Sequence, residues 1–365
     1  MKFIHRFGAG YNEARHFLSH NFLTEPVWDA SGFLEKVDFR LTRRGYLPTW
    51  KSFFFRPFDP RLFFGFNSIR IDGQPFIVFF ETTLPRASEK QRMLRKLQLR
   101  ALLSENCKGA IAISSCARKL QEERIPLGRR IDVLHPPQPI LVKEDWVQKF
   151  KVGEEFRFCF VGRDFARKGG IEILRAFDKL PFSNWHLTIL SDFRIDDYAT
   201  QYTRAQQTEL RIEIHEILTR NETRIIHHSG LANQEVLRIM LESHVGLLPT
   251  WHDTYGYSVL EFQASGCPVI STDVRALTEI NHEHCGWVLP IGTTFNAVNS
   301  RLESAIDRAA FSRTLEEMLR QTLVQILSND LEALTSLALT AVQRIREMHD
   351  PELHKTKVLS IIHSS

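Results

Sequence analysis

The sequence predicts an α/β protein of two domains, the second of them a doubly wound parallel sheet. Three observations carry this. The chain has 365 residues, more than one hydrophobic core usually organises, and roughly 150 residues per domain gives two. Its composition, 43% hydrophobic and 25% charged with 15 prolines, excludes a wholly disordered, collagen-like or coiled-coil protein. From Glu154 onward, short β-prone runs alternate with apolar-periodic helical stretches over short connections, the pattern of successive βα units.

In the first half, Phe76 to Phe80 and Gly109 to Ser114 read as buried strands separated by a helix, with Ile131 to Leu134 a further strand. The helix carries Arg92, Arg95, Lys96 and Arg100 with Leu94, Leu97 and Leu102 interleaved, which predicts an apolar inner and a basic outer side. Lys51 to Phe66 is rich in phenylalanine and broken by Pro57 and Pro60; it reads as core packing of short strands or as a surface for a lipid-bearing acceptor. The proline-rich segment His135 to Pro139 is placed as the interdomain link. The second half then runs Phe156 to Val161 (strand), a helix with Ile171, Leu174, Phe177 and Leu180 on one side, Trp185 to Leu190 (strand), a polar helix to Arg220, and Thr223 to His228 (strand). The helix QEVLRIMLES, the strand Val245 to Thr250, a helix from Tyr257 and the strand Cys267 to Thr272 follow. Asn329 to Met348 reads as one long helix, with a short helix after it. The expected domains are 1–140 and 141–329, with 330–365 packing back on the first.

No apolar run reaches the roughly 18 residues of a spanning helix. The N-terminus lacks a signal-peptide pattern, so a cytoplasmic protein is expected. Five cysteines without a C-x-x-C pair fit neither a disulfide framework nor a zinc site. Residues 1–150 hold 25 Lys/Arg against 15 Asp/Glu, a net +10, and the remainder 22 against 28, a net −6. A basic half suggests an anionic partner, and an anionic membrane surface, with the protein peripheral on the inner face, is one reading; a solvated basic face is the other. No nucleic-acid-binding module is recognisable, and nucleic acid is not expected as a partner.

Two segments carry the chemistry. In residues 247–272, a strand end leads to a loop with Asp253, Tyr255 and Gly256, and a helix starts near Tyr257 and Ser258 with Glu261 one turn in. Ligands of open α/β sheets lie at the carboxyl ends of strands, and N–H groups at a helix start receive anions such as a diphosphate. Asp253 and Glu261 offer carboxylates to vicinal hydroxyls, which suits sugar and ribose; the alternative is a capping Asp253 and a merely exposed Glu261. In residues 160–170, Gly162, Arg163 and Lys168 again follow a strand and precede a helix, and the two cations can converge on one anion. The spacing is neither that of a P-loop nor of a dinucleotide fingerprint.

Together, Gly162, Arg163, Lys168, Gly169, then Asp253, seven residues, Glu261, and Gly266, Pro268, Val269, Ile270 resemble the donor domain of retaining GT-B glycosyltransferases of family 4, also described as glycosyl transferases group 1. The resemblance spans roughly residues 100–290 and implies two Rossmann-like doubly wound domains facing each other across a cleft. It implies that Arg163 and Lys168 hold the diphosphate of a nucleoside diphosphate sugar, Glu261 the ribose, and Asp253 the transferred sugar, with backbone N–H groups of Tyr255, Gly256 and Tyr257 against sugar and phosphate. Asp253 stands where the family more usually has Glu. In the first half, Gly8 and Gly10 resemble the family's glycine loop, Glu81 stands where the family's His faces the sugar, and Ser114 and Ser115 resemble a serine after the next strand. The implied activity is metal-independent hexosyl transfer with retention to a glycan or lipid-linked acceptor, as in bacterial surface polysaccharide or lipopolysaccharide synthesis, without cofactor. The chain has no D-x-D pair for a divalent cation and no metal-ligand spacing among its histidines. A sugar-nucleotide epimerase, a phosphorylase and a non-catalytic GT-B-like binding subunit are the alternatives.

Overall fold

The computed structural model describes residues 3–6, 24–30, 33–34, 37, 40, 53–56, 59–87, 91–143, 145–151, 153–195, 206–300, 302 and 304–364. The chain divides into two compact units, Met1–Pro139 with Met348–Ser365, and Ile140–Glu347. Residues 330–347 therefore belong to the second unit, and only the segment from Met348 returns to the first.

The first unit contains β1 (Phe3–Arg6), β2 (Thr24–Val27), β3 (Phe53–Phe54), β4 (Leu62–Phe66), β5 (Ile69–Arg70), β6 (Phe76–Phe80), α1 (Arg92–Leu103), β7 (Cys107–Ala112), α2 (Ser115–Arg124) and β8 (Asp132–Val133). Among the described residues its main sheet is parallel, in the order β2-β1-β4-β6-β7-β8, with β3 and β5 pairing beside it. Strands covered on both faces need no alternation of apolar and polar residues, and β4 and β6 are buried at every position. This settles most of the phenylalanine-rich stretch as core. Phe54 and Phe63 stack at 4.0 Å and Phe64 and Phe79 at 4.8 Å, whereas Phe55 is exposed. Burial of such rings, about 150–250 Å² each, is what a continuous apolar strand contributes to a core.

The second unit contains β9 (Phe156–Val161), α3 (Gly170–Asp178), β10 (Trp185–Leu190), α4 (Gln207–Arg220), β11 (Ile225–His228), α5 (Asn233–Glu242), β12 (Val245–Leu248), α6 (Tyr257–Ala264), β13 (Val269–Thr272), α7 (Leu277–Ile280), β14 (Gly286–Leu289), α8 (Ile291–Thr294), α9 (Ala305–Leu327) and α10 (Thr335–Met348). Its sheet is parallel in the order β11-β10-β9-β12-β13-β14. A 3₁₀ turn at Leu331–Leu334 precedes α10, so the predicted long helix is interrupted near its start. The last helix, α11 (Pro351–His363), opens with Asp350 capping the Leu353 N–H at 2.8 Å and Pro351 at the first helical position. It packs in the first unit, His354 against Phe79 and Ile361 beside Gly109.

The charge asymmetry follows this division: the first unit has 25 Lys/Arg against 15 Asp/Glu and the second 22 against 28. The cysteines form no disulfide; four are buried and Cys116 is half-buried.

His244, at the start of β12, is fully buried and its Nδ1 accepts the Arg157 N–H at 3.0 Å. Burial, aided by the Arg157 and Lys149 cations, pushes its imidazole down to about 3. The unfolded chain takes up a proton near the ordinary histidine value while the folded one does not, so this contribution to stability is complete above about pH 6.5 and is lost progressively as pH falls toward 3. Urea midpoints measured across that window should fall for the native chain and fall less steeply for His244→Asn, which keeps an acceptor without a titrating ring. Parallel curves would mean that other groups govern the acid limb.

Candidate functional site

The order of the second sheet reverses between β9 and β12: the chain moves outward from β9 through β10 and β11, then returns to the other side of β9 with β12. Open α/β sheets bind ligands outside the carboxyl ends of the strands at such a switch point. The two sequence segments singled out for chemistry are the loops that leave these two strands, Gly162–Gly169 after β9 and Pro249–Gly256 after β12.

Three residues of the first loop stitch it to the second. The Arg167 carbonyl accepts the Trp251 N–H at 2.9 Å and the Thr250 hydroxyl at 3.0 Å. Gly169 passes so close to Pro249 that a Cβ would lie 2.0 Å from its carbonyl oxygen, and its φ of +81° is left-handed. The Lys168 ammonium pairs with the Asp253 carboxylate, 85 residues further along the chain. Gly153 has a similar φ, +83°, but open space around its Cβ position. Gly153→Ala should therefore cost only the left-handed penalty, about 1–2 kcal/mol, and Gly169→Ala distinctly more, read by chemical denaturation. Equal costs would show that the loops can part without penalty.

The second loop turns into α6 through Gly256, whose φ of +94° and contact with Leu277, 2.4 Å from where a Cβ would stand, leave no room for a side chain. The start of α6 then presents the backbone N–H groups of Tyr257 and Ser258, which a helix leaves without intrahelical acceptors. Tyr255 is fully buried, its ring 5.2 Å from that of Tyr257, and burial pushes its hydroxyl well up. Its side chain is therefore core. Asp253 accepts the Thr254 N–H at 2.8 Å. Burial alone would raise its carboxyl, but Lys168, Arg167 and that N–H hold it below the usual carboxylate range. Asp253 is ionised at neutral pH, fit to accept hydrogen bonds and unfit to donate a proton.

Arg163 is placed differently from expectation, and so is Glu261 from the alternative reading of it. Arg163 does not converge with Lys168 on one point: its side chain is 77% exposed and pairs loosely with Asp192 at 3.5 Å, while Lys168 is 18% exposed and turned to Asp253. Glu261 is only 4% exposed, so the reading of it as a merely exposed residue is wrong; five of the other α6 residues are buried with it. Gly162 lies under the Lys168 stem, and a Cβ there would be 3.0 Å from its Cγ. His227 places its ring against Phe193 at 4.0 Å and bonds the Ser191 carbonyl at 2.7 Å.

The first sheet reverses between β1 and β4. Gly8 and Gly10, which follow β1 in sequence, lie outside the described residues. Glu81, directly after β6, accepts from Arg86 Nη2 at 2.8 Å and Asn67 Nδ2 at 3.3 Å, so it is a neutralised, fixed carboxylate. Ser114 is a helix cap, accepting the Ala117 N–H at 3.0 Å. Sequence reasoning missed Asn67 and Arg86, and also the buried pair of Arg6 and Asp29 at 2.9 Å. The only local signal was Asn67 itself, a residue type that tolerates the left-handed φ of +54° found there. Among the described residues, no group of His, Cys, Asp and Glu is arranged to hold a metal ion, and no helix is long and apolar enough to cross a membrane.

The family model of glycosyl transferases group 1 matches residues 142–321, which span β9 to most of α9 and include both stitched loops. The second unit carries a glycosyl transferases group 1 domain. Solved structures similar to the whole chain include Anabaena HepE in complex with UDP, at 13% identity and TM-score 0.58 over all of both chains. Sucrose-phosphate synthase from Thermosynechococcus elongatus is 16% identical with TM-score 0.55, over 80% of this chain and 68% of its own. A glycosyltransferase from Rickettsia africae is 11% identical with TM-score 0.54, over 94% and 85%. At these identities the likeness is one of fold, two parallel α/β domains as in GT-B glycosyltransferases. No curated protein matches the chain. The matched span includes Lys168, Asp253, Glu261 and the start of α6.

Proposed function

We propose that the protein is a retaining glycosyltransferase that moves a hexosyl group from a nucleoside diphosphate sugar to a hydroxyl of a glycan or lipid-linked acceptor, in surface polysaccharide synthesis. The observation that carries this reading is the meeting of Lys168 and Asp253 beside the N-terminus of α6 at the β9/β12 switch point. Lys168, Arg163 and the N–H groups at Tyr257 and Ser258 are the groups that would meet the diphosphate. As the glycosidic bond breaks, negative charge grows on that leaving group, and preorganised donors act where charge develops. The charge is met by protein groups, so the reading assigns no metal and no cofactor. Asp253, ionised and fixed by Thr254, accepts hydrogen bonds from sugar hydroxyls; Glu261, one turn into α6, takes the ribose. The acceptor hydroxyl attacks from the face the diphosphate leaves and gives its proton to a phosphate oxygen, so no enzymic nucleophile is required. The similar HepE structure holds UDP, which supports a nucleoside diphosphate as the probe.

The test is product analysis with a panel of sugar nucleotides and extracted glycan acceptors. Release of nucleoside diphosphate, together with a new glycosidic bond of the donor's anomeric configuration, is the expected result. Free epimerised sugar nucleotide, sugar 1-phosphate, or binding without turnover would each replace this reading by one of the alternatives.

A further inference from the structure

The helix α1 of the first unit presents an unusual outer side. Its exposed residues are Arg92, Met93, Lys96, Leu97, Arg100 and Leu103, while Gln98 and Leu102 are buried on the opposite side. Met93 is 79%, Leu103 58% and Leu97 40% exposed. The expected division into an apolar inner and a basic outer side is thus only half right: Leu97 turns outward and Arg95 is half-buried.

Single exposed apolar residues are common on protein surfaces. Here three large ones alternate with three cations on one face of twelve residues that include no acid. Arg92, Lys96 and Arg100 follow one another at four-residue spacing, where like charges disfavour an isolated helix. A partner that offers both negative charge and hydrocarbon at the same depth removes both costs. An anionic phospholipid surface has that combination: interfacial helices bury an apolar side at the headgroup boundary while Lys and Arg meet anionic headgroups. The unit bearing this face is the basic one, with a net +10.

We propose that the outer face of α1 docks the first unit on an anionic bilayer, with Met93, Leu97 and Leu103 entering the interface and Arg92, Lys96 and Arg100 lying among the headgroups. The proposal rests on the reading of a lipid-linked acceptor, which it places at the membrane surface.

The test is co-sedimentation of the full chain with vesicles of phosphatidylglycerol and phosphatidylcholine, and of phosphatidylcholine alone, at low and high salt. Each cation near an anionic surface is worth roughly fivefold in affinity, so Arg92→Glu/Lys96→Glu/Arg100→Glu should lose roughly a hundredfold or more. Met93→Ser/Leu97→Ser/Leu103→Ser should abolish the part of binding that survives high salt. All six residues are exposed, and unchanged thermal melting of both variants shows that the fold is kept. Absence of binding by the wild type to anionic vesicles, equal binding to both lipids, or intact binding by either triple variant overturns the proposal. Equal competition by polyglutamate that also requires Met93, Leu97 and Leu103 overturns it in favour of an acidic protein partner. UDP titration of the same samples separates the two readings: donor binding without vesicle binding removes only the docking face, and vesicle binding without donor binding removes only the transferase.

Discussion

Lys168→Ala should lower kcat by about 100-fold or more, the usual loss when one preorganised donor to a developing charge is removed. The variant should still fold. It leaves Asp253 without its ammonium partner, but the Thr254 N–H remains at 2.8 Å and the carboxyl can take up a proton. Melting temperature should therefore fall by only a few degrees, through a pair whose two side chains are 18% and 12% exposed. Lys168→Arg keeps the charge and should recover part of the rate. The informative comparison is with Arg163→Ala. Its side chain is 77% exposed and only loosely paired, so its loss should leave stability untouched while lowering turnover if the guanidinium swings onto the diphosphate. Steady-state rates with thermal melts on the three variants check this, and near-wild-type turnover in Lys168→Ala would remove Lys168 from the chemistry.

The second large effect concerns Glu261. If its carboxylate holds ribose hydroxyls, Glu261→Gln replaces an acceptor oxygen by a donor amide of equal size. Affinity for a nucleoside diphosphate should then fall by about 1–3 kcal/mol, the range for hydrogen bonds to charged groups. Because Glu261 is only 4% exposed, the amide also has to be accommodated inside α6, and a melting curve must accompany the titration. Lower affinity with an intact melt supports the ribose role; unchanged affinity makes Glu261 a structural residue of the helix.

The second unit was legible because its strands and helices announce themselves by period. Phe156 to Val161 and Trp185 to Leu190 coincide with β9 and β10, and Ile171, Leu174 and Phe177 are buried in α3, though Gly170, Glu172, Ile173 and Ala176 are buried with them and Leu180 lies beyond the helix end. The positions of Lys168 and Asp253 at strand ends were legible for the same reason. Their pairing was not, since a contact across 85 residues depends on sheet order, and the order β10-β9-β12 is set by which crossovers fold to which side. The burial of Glu261 was hidden by a different cause. Residues 259 to 264 of α6 are all buried, so its pattern has no polar stripe from which to infer an exposed face. Glu81 illustrates the limit for a single charged residue: its fate was decided by Arg86 and Asn67, which reach it from a following loop and a neighbouring strand end. In the first unit, phenylalanines on both faces of β4 and β6 gave a strong signal for buried strands but none for which ring turns outward.

The central claim is that the β9/β12 switch point of the group 1 domain receives a nucleoside diphosphate. Isothermal titration of the full chain with UDP, GDP and ADP, repeated on Lys168→Ala and Glu261→Gln, tests it most directly. Saturable one-site binding of at least one of the three, weakened in both variants while their melting curves remain cooperative, is the predicted result. Failure of all three to bind, or binding that Lys168→Ala leaves unchanged, would contradict it.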